Sequence, residues 1–101
     1  YNVANATDFK QKVLAYNSLA NIYLYAKNYS EATSSANSAI KLINNAQSWV
    51  IIGQINEDQK NYKSAIDAYQ NAVDLSVGSK DDARGDYNTY LAKLNKVKEL
   101  Q

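Results

Sequence analysis

Cysteine, histidine, proline and methionine are all absent from the 101-residue sequence, and glycine occurs only at positions 53, 78 and 85. Without cysteine or histidine there is no zinc site of the usual kind, no disulfide, and no Ser–His or Cys–His nucleophile pair. A β-sandwich spends proline and glycine on its turns, whereas helix interiors tolerate neither, so the composition favours an all-α fold. Eleven Lys or Arg stand against ten Asp or Glu. Such a balance leaves no electrostatic footprint for nucleic acid or an anionic membrane surface. No 18-residue apolar run is present, so no membrane span is expected. No glycine-rich phosphate loop occurs, and no cofactor is expected. With Tyr1 first and no methionine, the sequence reads as processed or cut from something longer.

What is present is a repeat. Lys27-Asn28-Tyr29 returns 33 residues later as Lys60-Asn61-Tyr62. In the same register Ala32 returns as Ala65, Ala39 as Ala72, Ile40 as Val73 and Leu42 as Leu75. Upstream, Tyr16, Leu19 and Ala20 return as Trp49, Ile52 and Gly53. Within each unit the apolar residues step by three and four, the period of one helix face. Tyr16, Leu19, Ala20, Tyr23 and Leu24 form a first run, and Tyr29, Ala32, Ala36, Ala39, Ile40 and Ile43 a second. Between them lies the polar break Lys27-Asn28, where Asn is expected to take the left-handed conformation that ends a helix. Each unit is therefore read as a helix, a tight turn and an antiparallel helix. Small residues at Ala20, Gly53, Ala32 and Ala65 let the two backbones approach, and tyrosines wedge beside them with the hydroxyl near water.

The ends are less regular. Thr7 or Asp8 is read as the cap of the first complete helix, and Tyr1-x-x-Ala4 echoes Tyr69-x-x-Ala72. Ser79 or Asp81 is read as the cap of a last helix, in which Tyr87-Asn88-Thr89-Tyr90-Leu91 echoes Tyr16-Asn17-Ser18-Leu19-Ala20. The organisation expected is an N-terminal segment 1–12, the end of a preceding repeat; unit 1 at 13–45; unit 2 at 46–78; and at 79–101 a capping helix or the first helix of a third unit.

At these residues the sequence resembles the tetratricopeptide repeat family, whose signature is W-x2-L-G-x2-Y followed by A-x3-F and P. Trp49, Ile52 and Gly53 match the first cluster, and Ala65, Tyr69 and Ala72 the second. Tyr16, Leu19, Ala20 and Tyr23, then Ala32 and Ala39, match in unit 1. Departures are Asn56 in place of tyrosine, Ala36 in place of an aromatic, Lys27 and Lys60 where glycine is common, and Asn44 and Val77 at the closing proline. The resemblance implies an all-α α-α superhelix, a right-handed solenoid of antiparallel helix pairs, with about two and a half repeats. About three units are normally needed for independent stability, so the piece reads as marginal alone or supported by a neighbour.

The resemblance also implies a non-enzymatic interaction scaffold whose first helices line a concave groove. Carried over by position, the groove would present Asn17, Asn21, Leu24, Tyr25, Gln47, Val50, Gln54, Asn88, Ala92 and Asn95, with Ser18, Ile51 and Asp58 beside them. That set is neutral and rich in amides, which pair with the main chain of an extended peptide or helix of a protein partner. The bland explanation is that thirteen asparagines in one chain reflect base composition rather than binding. A carboxylate clamp is not expected, because Asn21 alone fits its pattern and Lys80 and Arg84 fall out of register. Glu57-Asp58 and Asp81-Asp82 read as solvated charge beside Lys60 and Lys80. The alternative function is a structural solenoid segment that packs on neighbouring repeats or self-associates through repeat ends.

Overall fold

The computed structural model describes residues 2–77 and 86–101, apart from the side chains of 2–8 and 86. Five helices follow one another, α1 (Asn2–Tyr25), α2 (Tyr29–Leu42), α3 (Ala46–Asp58), α4 (Tyr62–Leu75) and α5 (Asp86–Leu100), and no strand occurs among the described residues. α1 packs on α2 and α3 on α4; α3 then seats on both α1 and α2, and α5 on α4. The architecture is an all-α superhelix of about two and a half repeats.

Alanine sets the spacing. Ala20, Ala32, Ala36, Ala39, Ala65 and Ala72 are wholly buried, so neighbouring helix backbones approach across methyl groups. Larger side chains fill the rest in two separate clusters. Ile51 and Ile55 of α3 sit against Ala20, Ala32 and Ala36 of unit 1. Tyr90, Leu94 and Val97 of α5 sit against Val50, Ala65, Tyr69, Ala72 and Val73 of unit 2. Burying each such aliphatic side chain contributes about 1.5–3 kcal/mol. Each core thus belongs to a junction between successive elements of the stack.

The turn inside each unit differs from the expectation. The left-handed residues are Lys27 and Lys60, at φ 64° and 63°, whereas Asn28 and Asn61 stand at φ −92° and −87°. Both turns close the same way. Lys27 N–H donates to Leu24 O at 3.0 Å and Asn28 N–H to Tyr23 O at 2.8 Å; Lys60 donates to Glu57 O and Asn61 to Asn56 O at the same distances. This doubly bonded helix ending needs its left-handed residue just before the second donor. The asparagines have a second duty. The Asn28 and Asn61 carbonyls accept the Ala32 and Ala65 N–H groups, each at 3.0 Å, and so start the next helix. Lysine in a left-handed conformation is strained by about 1–2 kcal/mol. Part of that returns as unfolded-state entropy when glycine is substituted. Lys60→Gly should therefore raise stability by about 0.5–1 kcal/mol, read as a higher urea midpoint at unchanged slope.

Units 1 and 2 are joined through an extended link. Ile43 is extended at φ −146°, and Asn45 caps α3 by accepting the Ser48 N–H at 2.9 Å. Asn44 accepts from the Trp49 indole at 2.7 Å. Asn44, which stands where the family pattern has its closing proline, thus ties the link to α3. At the front, Thr7 and Asp8 lie inside α1 rather than ahead of it. The cap expected at Ser79 or Asp81 lies outside the described residues.

Candidate functional site

The first helices α1 and α3, with α5, border a cleft of about 450 Å³. Asn21, Leu24 and Tyr25 enter it from α1, Gln54 from α3, and all four were expected there. Its remaining lining is charged: Lys27, Glu57 and Asp58, then Lys93 and Lys96 from α5, with the Tyr69 ring behind. The groove expected to be neutral and rich in Asn and Gln thus also carries charged side chains, of which only Asp58 was in the expected set.

Each carboxylate has a specific partner, and neither partner is Lys60. Asp58 accepts from Lys27 Nζ at 3.4 Å and from the Tyr29 hydroxyl at 3.3 Å, tying the end of α3 to the turn of unit 1. Both ends of that ion pair are largely exposed, so it contributes little. Glu57 accepts the Tyr69 hydroxyl at 2.9 Å. Burial, then the hydrogen bond to Glu57 and the charges of Glu57 and Asp58, push the Tyr69 phenol well above its ordinary value. The phenol therefore stays protonated and donating, which fixes Glu57 at the cleft wall. Lys93 and Lys96 form no ion pair among the described residues; against the carboxylate of Glu57 they leave the cleft lining with a small positive surplus on the α5 side.

Two expected groove residues are buried instead. Asn17 is 5% exposed and Val50 4%. They occupy equivalent positions, each on the flank that meets the following element. Val50 packs into the core beneath α5. Asn17 Oδ1 accepts the Ser48 hydroxyl at 2.6 Å, and its amide donates to Asn45 Oδ1 at 3.4 Å, so it holds α1 to the start of α3. Ile51 is wholly buried too, against unit 1. Gln47 lies in a second, more apolar hollow of about 530 Å³, with Val13, Leu14, Ser18 and Ile43, and Asn21 borders both hollows.

On α5 the expectation misses by one position. Asn88, Ala92 and Asn95 are exposed, but none lines the cleft. Matching Tyr87 to Trp49 by residue type sets a spacing of 38. Burial follows a spacing of 39, which carries Ile51 to Tyr90 and Ile55 to Leu94. One residue rotates a helix by about 100°. Gln54 and Glu57 then correspond to Lys93 and Lys96, the two side chains found in the cleft. The buried Tyr90-x3-Leu94-x2-Val97 spacing was the signal available in the sequence. Lys80, Arg84 and Asp81-Asp82 lie outside the described residues.

Among the described residues no three Asp, Glu, His or Cys side chains gather as a metal site, and no helix is long and apolar enough to cross a membrane. Compared as a whole, the chain matches no curated protein and no solved structure. The model of the tetratricopeptide repeat, by contrast, matches residues 13–45 and 46–76, the two helix pairs described above. Spanning more than half of the sequence, those two matches mean that the chain belongs to the tetratricopeptide repeat family, whose repeats generally serve as protein-interaction or scaffold modules.

Proposed function

We propose that this chain is a protein-interaction scaffold that holds an extended segment or helix of a partner protein along its concave cleft. The observation that carries the reading is the convergence of α1, α3 and α5 on one hollow, lined by the amides Asn21 and Gln54 and, from α5, by Lys93 and Lys96, which form no ion pair among the described residues. Asn21 and Gln54 each offer donors and an acceptor to a peptide main chain. Lys93 and Lys96 favour a segment that brings a carboxylate to the α5 side. A hydrogen bond to a charged group contributes about 1.5–3 kcal/mol, about tenfold or more in affinity.

Selection from a random peptide library on the intact chain tests this. Enriched sequences should carry Asp or Glu, and Lys93→Glu should weaken them about tenfold, with binding falling as salt rises. Gln54→Ala should weaken them irrespective of their charge. Binders indifferent to both substitutions would refute the proposal.

A further inference from the structure

The face that α3 turns towards unit 1 consists of Ser48, Ile51, Ile52 and Ile55, which are buried or half-buried there. The face that α5 turns towards unit 2, 39 residues on, consists of Tyr87, Tyr90, Leu91 and Leu94, covered in the same way. On α1 the equivalent residues, 33 before those of α3, are Ala15, Ser18, Leu19 and Ile22. Nothing among the described residues covers them. Leu19 is 41% and Ile22 61% exposed, with Leu14 at 66% and Tyr25 at 89% on the flank. α1 is thus apolar on opposite sides, which is the pattern of a helix buried all round.

We propose that this face of α1 is a docking surface for a second copy of the chain, packed through α1 about a two-fold axis. Three observations select that occupant. Two of the three equivalent faces in the molecule are already closed by helices of this same repeat, so the surface has the shape that accepts one. The opposite end of the stack is unsuitable. The outer side of α5 carries Asn88, Ala92, Asn95 and Glu99, all exposed, so head-to-tail stacking would set apolar α1 against a polar helix. Finally, the α1 face is complementary to itself. In an antiparallel pair with the axis between Ser18 and Leu19, Ile22 of one copy meets Ala15 of the other, and Leu19 meets Ser18. Large side chains then lie against small ones, as Ile51 and Ile55 lie against Ala20, Ala32 and Ala36 within the chain. Tyr25 falls opposite Lys12, an arrangement that places a cation near an aromatic face. Such a contact is isologous and closes at two copies. A single helix face is smaller than the roughly 800 Å² per partner of a standard interface. The dimer should accordingly be weak, with a dissociation constant on the order of 10–100 µM.

Sedimentation equilibrium of the intact chain between about 5 and 500 µM reads this directly. A monomer–dimer equilibrium is expected. Ile22→Lys should weaken it at least tenfold with helical content unchanged, since that side chain is exposed. The chain has no cysteine, so Ser18→Cys places a lone thiol near the axis. Under mild oxidation it should cross-link far faster than Ser30→Cys on α2. A chain that stays monomeric throughout overturns the proposal and leaves the face to a preceding helix pair. So does a dimer indifferent to Ile22→Lys and disrupted by Asn95→Lys on α5. Tyr25 borders both surfaces, but Gln54 and Lys93 are untouched by these substitutions, so the test of the cleft stays separate.

Discussion

Gly53→Ala should destabilise the chain by about 2–3 kcal/mol, although alanine is the better helix former by about 1 kcal/mol. A Cβ at position 53 would stand 2.6 Å from Tyr69 Cε1, 2.7 Å from Cδ1 and 2.9 Å from Cζ. Those atoms belong to a ring that is wholly buried and whose hydroxyl is fixed on Glu57, so it has little room to retreat. Forcing an extra methyl into a packed core typically costs 1–3 kcal/mol. Tyr69→Ala alone should cost about 3–5 kcal/mol, from the cavity and the lost contacts. The pair should not be additive. Unit 1 carries Ala20 and Ala36 at the corresponding positions, both wholly buried in one cluster. Gly53→Ala with Tyr69→Ala reproduces that combination, so the clash disappears and the new methyl occupies part of the cavity. The double variant should be more stable than the sum of the singles implies, by about 1–3 kcal/mol of coupling in urea denaturation. Additive losses would mean that the ring does not fill the space left by the glycine.

Leu94→Ala should cost about 2–4 kcal/mol, while Asn88→Ala on the same helix should change stability by less than about 0.5 kcal/mol. Leu94 is 2% exposed and sits with Tyr90 and Val97 on the side of α5 that covers Val50, Tyr69 and Val73. A cavity there loosens the helix that covers unit 2 on the side away from unit 1, and stability in a stacked array depends on such nearest-neighbour junctions. The loss should therefore appear first as faster amide exchange in α4 and α5, with α1 and α2 less affected. Equal effects of the two substitutions would place α5 in the other register, the one that matches Tyr87 to Trp49.

Gly53 and Leu94 lie in junctions whose helix pairs are legible in the sequence to different depths. Paired alanines and the 33-residue echo sufficed for the helix pairs, because Ala32 and Ala39 recur as Ala65 and Ala72 at one helical phase and all four are buried. The turn was legible in place but not in detail. Lys27 and Lys60 take the left-handed conformation because Asn28 and Asn61 must also open the following helix, a double duty that position alone does not reveal. The site was less legible because the groove and the junction are adjacent stripes on one helix. Asn17 and Val50 lie one turn before Asn21 and Gln54, offset by about 40° around the helix, yet the first pair is buried and the second faces the cleft. On α5 an aromatic match one position off exchanged Lys93 and Lys96 for Asn88, Ala92 and Asn95. That slip left out the two lysines that α5 brings to the cleft. Glu57 entered the site through Tyr69, a contact between α3 and α4 that only the packed structure brings together.

A partner segment held in the hollow between α1, α3 and α5 would disturb the residues that line it. The most direct test is an NMR titration of the intact chain with a peptide selected for binding, following backbone amides and the side-chain amides of Asn21 and Gln54. Saturable shifts are expected at Asn21, Leu24, Gln54, Lys93 and Lys96, with the outer faces of α2 and α4, such as Asn37 and Gln70, unmoved. Shifts confined to α2 and α4, with Gln54 and Lys93 silent, would contradict binding in that hollow.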